Sequence, residues 1–333
     1  MRLTPKGFRR FKSSRLRNRK LSIGEKMTVI GLVPSINGFG HTRRLLSLAN
    51  GLAKNKLTCT FLLPCLLSKQ SSIPKIITEY GFGSEIVCFR EYIDGPYSLK
   101  NDSHDCETNS LNLDKFDYLI ADTVTWVADF HDNVYLIAQY IWDQFDPKIN
   151  QDGIDRQLVK FKNIFGFRYF TTDFIKSKTN YKEIPLLDYW DLSRYTEINP
   201  SDNFVVANHG AQDPNFTLRS DPFLKSLDLV QGLEKYLEFN IKPLAMICRP
   251  GLGAILECLS SGVIPVLLES HDFELSFNRQ IAFASGWAID YKNIEHLSKI
   301  QKIEYVRNFM THFKRPTLIT SDILIDTYMG ILT

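Results

Sequence analysis

Short apolar runs alternate with helix-like stretches twice along this chain, and that rhythm constrains the fold more than any other feature. Residues 28–33, 58–63, 85–89, 118–122 and 134–141 read as strands. They are continuous apolar runs rather than alternating ones, as expected of strands buried on both faces of a parallel sheet. Between them, 41–54 reads as a helix with Leu45, Leu46, Leu48, Ala49, Leu52 and Ala53 along one face, and 74–80 as a short helix ended by Gly81. A second series follows: strands at 204–207, 244–248 and 263–268, with helices at 228–238, 254–261 and 278–284. The spacing predicts two doubly wound α/β domains, one over 27–200 and one over 201–333. The polar stretch 94–112 reads as a surface loop, and 143–201 as irregular and aromatic. Little chain lies between Asp213 and Cys248, which predicts a second domain short of one strand–helix unit.

Charge is unevenly spread. Residues 1–26 hold ten Lys or Arg against one acid, Glu25, so the net charge of +3 hides a segment of +9 and a remainder of −6. The segment lacks the apolar core of a secretory signal. It fits a disordered arm drawn to anionic lipid or nucleic acid, a transit peptide, or an extension upstream of a true start at Met27. The last reading is favoured, because Met27 directly precedes the first strand. No apolar run approaches the roughly 18 residues that span a bilayer, which excludes an integral membrane protein of the helical kind. The six cysteines show no C-x-x-C pair and no zinc spacing, and several lie in strand-like runs. This points to buried thiols in a reducing cytoplasm, and neither a metal site nor a specific nucleic-acid interface is expected.

In doubly wound sheets, ligands sit beyond the carboxyl ends of the strands, so the turns there carry the chemistry. The most informative is Cys248-Arg-Pro-Gly-Leu-Gly-Ala-Ile-Leu-Glu-Cys-Leu-Ser-Ser-Gly-Val-Ile-Pro265. A buried strand feeds a glycine turn that opens a helix. Its free N–H groups and the helix dipole favour a phosphate or diphosphate. Glu257, one turn in, is suited to accept from a ribose diol, though alone it also reads as a solvated glutamate. A second turn, Pro34-Ser-Ile-Asn-Gly-Phe-Gly-His-Thr-Arg-Arg44, carries His41 at the mouth of a strand–helix connection. A histidine there, with an ordinary pKa of about 6.5, is suited to general-base work. Standing alone it also reads as a helix-start residue bonding locally. Asp122 ends an apolar strand and either orients His41 or caps a following helix, the cap being preferred on sequence.

The pattern R-P-G-x-G-x-x-x-E-x-x-x-x-G-x-P resembles the donor-binding segment of GT-B glycosyltransferases, closest to family 28 and the glucuronosyl and macrolide transferases. The likeness continues through Glu274-Leu-Ser-Phe-Asn278 and on to Ile289, and Gly38-Phe-Gly-His41 resembles the first turn of the same superfamily. It covers residues 28–54 and 204–290. The resemblance implies two Rossmann-like domains facing across a cleft, with a nucleotide-sugar as co-substrate and no cofactor. It implies Arg249, Gly251, Gly253 and Ala254 at the diphosphate, Glu257 on the ribose of a uridine nucleotide and Glu274 on the donor sugar. Asn278 would lie beside them. Gly38 and Gly40 would frame His41, and His209 and Gly210, after the strand at 204–207, would touch donor phosphates. Ala254 stands where the family often has Thr or Ser, and Leu275 where it commonly has Gln, each losing one hydrogen bond. The expected function is a cytoplasmic inverting glycosyltransferase with His41 as base. A nucleotide-sugar hydrolase and a non-catalytic nucleotide-sugar binding subunit are the alternatives. The acceptor, whether glycan, lipid-linked or small molecule, is not legible, and residues 1–26 would allow peripheral attachment to the inner face of a membrane.

Overall fold

The computed structural model of this 333-residue chain describes residues 28–35, 39–64, 72–87, 113–141, 151–207, 221–230 and 232–329. The basic segment 1–26 and the stretch 94–112 lie outside them. The first half holds β1 (Val29–Val33), α1 (Phe39–Lys54), β2 (Thr58–Pro64), α2 (Ser72–Glu79), β3 (Gly83–Val87), β4 (Tyr118–Asp122) and β5 (Val134–Ile137). It continues through α3 (Gln151–Leu158), β6 (Asn163–Phe167), α4 (Asp173–Lys176) and β7 (Tyr181–Ile184). These strands form one parallel sheet in the order β3-β2-β1-β4-β5-β6-β7. The order reverses between β1 and β4, which are paired with Val33 opposite Ala121. The chain leaving β1 and the end of β4 therefore open onto the same crevice.

The tract expected to be irregular is thus partly regular. Its strand β6, Asn-Ile-Phe-Gly-Phe, is buried from Ile164 to Phe167, and β7 pairs beside it. The aromatic residues there are strand interior rather than loop. A Cβ on Gly166 would meet Thr171 Oγ1 at 2.6 Å, so only glycine fits where the chain turns back over the strand.

After β8 (Leu186–Leu187) and a 3-10 segment at Tyr189–Tyr195, the second half begins with β9 (Phe204–Ala207), α5 (Pro222–Lys225), β10 (Asp228–Val230) and α6 (Leu233–Leu237). It goes on with β11 (Ala245–Cys248), α7 (Leu252–Ser261), β12 (Ile264–Leu267), α8 (Phe273–Ala284), β13 (Ile289–Asp290) and α9 (Lys299–His312). Its sheet is parallel in the order β10-β9-β11-β12-β13. The helix expected over 228–238 is instead a strand, β10, followed by the short α6. Asp228–Val230 pairs with Val205–Ala207 along the sheet edge, and that tertiary pairing overrides a helical pattern. The helix expected over 278–284 starts five residues earlier, so 274–278 is the first half of α8. Asp272 caps that helix by accepting from the Leu275 N–H at 3.1 Å, a start signal upstream of the expected one. α7 ends at Gly262 with φ of 70°, and a Cβ there would lie 3.1 Å from Lys242 Nζ.

The chain end then returns to the first half. β14 (Leu318–Ile319) pairs with β8, and α10 (Ser321–Ile323) runs into a wider helical turn at Leu324–Met329 against α1. Ser321 Oγ lies 2.8 Å from Ser47 Oγ, and Leu324 and Ile325 are fully buried. So the tail from 318 packs on α1, although it follows the second sheet in sequence. Gly51 makes the approach possible: a Cβ there would meet Ser321 Cβ at 2.9 Å and Ile325 Cδ1 at 3.0 Å. Among the described residues no helix is long and apolar enough to cross a membrane.

Gly51→Val is expected to wedge the tail off α1 and cost about 1–3 kcal/mol. Thermal melting together with hydrogen exchange at 321–329 checks this. An unchanged melting point with an unchanged, protected tail would contradict the packing.

Candidate functional site

Asp122 ends β4 and is completely buried. A carboxylate there survives only if it is paired. Three residues supply the partners. Arg44 Nε lies 2.7 Å from its Oδ2, His41 Nδ1 lies 2.9 Å from Oδ1, and the Thr123 hydroxyl donates to Oδ1 at 2.7 Å. Burial alone would raise the Asp122 pKa, but Arg44 and then His41 outweigh it and hold the carboxyl below its ordinary range. An ionised carboxylate only accepts, so the His41 proton sits on Nδ1, and Nε2 is the basic nitrogen. Among the described residues Nε2 has no hydrogen-bond partner. The preferred expectation for Asp122 is corrected here. The 3-10 turn that follows, Trp126–Asp129, has Thr125 at its N-cap and no side-chain cap, and Asp122 instead holds His41 and Arg44. Thr123 adopts φ of 62°, a strained conformation for a β-branched residue, and its hydroxyl thereby reaches both Asp122 and His41.

The second half contributes the start of α7. Gly251 is its N-cap, with no side chain to cap it and no acid in the first turn. The first amide of the helix ladder to find a partner is that of Ile255, on the Gly251 carbonyl at 3.1 Å. Those of 252–254 carry the positive end of the dipole. Gly251, Gly253 and Ala254 are part-exposed, as is Arg249 just before them. Cys248 and Cys258 behind them are buried free thiols, with the Cys258 pKa raised well above normal by burial first and by Cys248 beside it.

Glu257, one turn along α7, reaches the seam between the two halves and is only 2% exposed. Its carboxylate accepts two bonds from Arg43 of α1, at 2.6 and 3.0 Å, and one from the Leu233 N–H at 2.7 Å. Gly232 leaves room for this clasp, since a Cβ there would lie 2.7 Å from Arg43 Nη2. Tyr80 and Glu234 close the same corner at 3.4 Å, and burial pushes the Glu234 carboxyl up. A ribose diol on Glu257 would take the place Arg43 now fills.

Further along the seam, α8 faces the chain after β5. The Tyr140 hydroxyl faces Glu274, and burial followed by that charge pushes the phenol well above its ordinary range. Gln139 donates to Asn278 Oδ1 at 3.3 Å, and Trp287 packs edge-on to Tyr169 at 5.1 Å. Of the expected site residues, His41, Asp122, Glu257, Glu274 and Asn278 thus converge on this seam, with Gly251, Gly253 and Ala254 at its α7 end. Gly40 is exposed. Gly38, His209 and Gly210 lie outside the described residues. Arg43 and Arg44 read in sequence as solvated helix residues or a contact to an acceptor anion; the clasp of Arg43 on Glu257, the pairing of Arg44 with Asp122, and Thr123, Gln139 and Tyr140 were not foreseen. Gln139 left a signal, as a polar residue inside the apolar run 134–141.

Asp122→Asn removes the charge that Arg44 and His41 face, and the variant is expected to lose about 3–5 kcal/mol near neutral pH. Because the folded pKa is lowered, that contribution is present above the ordinary carboxyl value of 3.8 and is lost as pH falls through the lower folded value. Denaturant titrations at a series of pH values check this: the gap between native and variant should persist down to about pH 4 and close below it.

No protein-family model matches the sequence, and no curated protein matches it. Solved structures do. The spinosyn forosaminyltransferase SpnP shares 11% identity, with 92% of this chain and 100% of that one covered, at a TM-score of 0.56. Phytolacca americana UGT2, complexed with UDP-2fluoro-glucose and pterostilbene, shares 12%, with 92% and 99% covered, also at 0.56. MurG of Acinetobacter baumannii shares 11%, with 92% and 100% covered, at 0.51. Likeness at this identity speaks to architecture. With its two parallel sheets facing across a seam, the chain has the GT-B fold of these glycosyltransferases.

Proposed function

We propose that the chain is a glycosyltransferase that moves a sugar from a uridine-diphosphate donor to a hydroxyl acceptor, with inversion at the anomeric carbon. One observation carries the reading. A His41–Asp122 pair stands at the end of the first sheet, and the helix that carries His41 is joined through Arg43 and Glu257 to α7, whose start has no side-chain cap. In this reading the diphosphate lies on the amides of 252–254, the ribose diol displaces Arg43 from Glu257, and the sugar reaches Glu274. His41 Nε2 takes the proton of the acceptor hydroxyl as its oxygen attacks the anomeric carbon. The bond from that carbon to the diphosphate oxygen breaks, and the electron pair leaves on the diphosphate. Asp122 stabilises the imidazolium that forms, and the α7 dipole stabilises the departing charge. Ala254 brings no hydroxyl to the phosphate, so backbone amides bear that work. The UDP-2fluoro-glucose bound by Phytolacca americana UGT2 supports the choice of donor class.

His41→Ala is expected to lower turnover by about 10²–10⁴ while leaving the UDP dissociation constant within about twofold. Steady-state rates and UDP titration of the same preparations check both halves. Turnover within twofold of the native chain would remove the base. Release of free sugar from donor alone, as fast as with acceptors, would convert the reading to a hydrolase.

A further inference from the structure

Glu257 already holds a partner where a ligand is expected. Arg43, on a helix of the first half, donates to it from both Nη atoms at 2.6 and 3.0 Å, and the Leu233 N–H donates to Oε1 at 2.7 Å. With 2% exposure, the carboxylate offers no open face to solvent. The Arg43 side chain is 15% exposed, so one edge of the clasp reaches water. Gly232 accommodates the fork, since a Cβ there would lie 2.7 Å from Nη2 and 3.3 Å from Cζ. Burial works against the guanidinium charge, but Glu257 outweighs it and raises the Arg43 pKa.

A guanidinium presents two adjacent N–H donors to a carboxylate. A vicinal diol presents two adjacent O–H donors, so it competes for the same two oxygens while the Leu233 amide keeps its place. A second carboxylate stands beside the first. Glu234 follows Leu233 in the chain, and among the described residues it has no ion pair, only the Tyr80 hydroxyl donating at 3.4 Å. Its charge lies within reach of Arg43, and burial leaves its carboxyl raised despite that neighbour. One guanidinium thus stands between two acids, and only one of them is paired.

We infer that Arg43 is a two-position latch: in the empty chain it occupies Glu257, and a ligand diol that takes Glu257 sends it to Glu234. This rests on the donor-site reading above and adds that the nucleotide competes with a residue of the chain itself. Apparent affinity is then the intrinsic affinity reduced by the fraction of molecules whose Glu257 is free of Arg43. The contact between α1 and α7 is tightest in the empty chain, and the donor loosens it on entry. Arg43 therefore sets nucleotide affinity through the acid it covers.

The test titrates the full chain calorimetrically with UDP and with 2′,3′-dideoxyuridine diphosphate, which lacks the diol. Arg43→Met is expected to bind UDP about tenfold more tightly than the native chain. Loss of the diol should weaken binding within about threefold in the native chain and about tenfold in Arg43→Met, because only the variant leaves Glu257 short of a partner. Arg43→Lys keeps the charge but not the fork, so it should fall between the two, and it serves if Arg43→Met folds poorly. Glu234→Gln is expected to weaken UDP about threefold in the native background and to change nothing beside Arg43→Met. Unchanged or weaker UDP binding in both position-43 variants would make the clasp a docking contact only and overturn the inference. So would an equal diol penalty in native and variant chains, or a Glu234→Gln effect that does not depend on Arg43. If neither the native chain nor the variants bind UDP, the donor-site reading itself fails and the latch with it; UDP binding without the gain sinks the latch alone.

Discussion

The buried carboxylate of Asp122 is the constraint from which the site is built. A charge with no solvent at all must be met by fixed partners, and the sheet order brings them to hand. β1 and β4 are neighbours, so the helix that follows β1 starts beside the end of β4. Two residues on that helix, three apart in sequence, then reach the same carboxylate from one face. Arg44 neutralises it while stacking over Phe167 at 5.4 Å, and His41 uses it to fix a tautomer. Thr123 accepts backbone strain to add its hydroxyl. Strain of that kind persists where surrounding structure over-determines it, and functional sites are where it gathers.

The second half supplies charge complementarity of a different kind. The start of α7 offers backbone donors with no competing side chain, and the walls of the seam offer acids already engaged. Glu257 is held by Arg43 and Leu233, and Glu274 faces Tyr140. Ligand entry at such a seam exchanges one set of partners for another, so affinity reflects a difference between two well-paired states. The tail that returns over α1 matters here too, because it fastens the end of the second half to the helix that carries His41, Arg43 and Arg44.

Much of this was legible in sequence, and the limits have physical causes. The run from Cys248 to Pro265 folds as the strand, glycine turn, helix and strand that local pattern implies, because each element's signal is internal to it. β6 and β10 were missed for opposite reasons. β6 is apolar enough to be a strand, but its aromatic residues and Gly166 resemble a loop. β10 is polar and owes its conformation to pairing with β9. Asp122 could be placed at the crevice from the strand-end rule, yet its partner was undecided, since cap and ion pair leave the same local signature. Arg43, Gln139 and Tyr140 act through contacts far apart in the chain, which no window of sequence contains.

The account turns on the state of one ring, and the most direct measurement is the nitrogen chemical shifts of the His41 imidazole in the uniformly labelled chain, assigned by loss of the signal in His41→Gln. A proton on Nδ1 is the expected result, because an ionised Asp122 can only accept. A proton on Nε2 with a bare Nδ1 would contradict the base assignment, however well the fold matches.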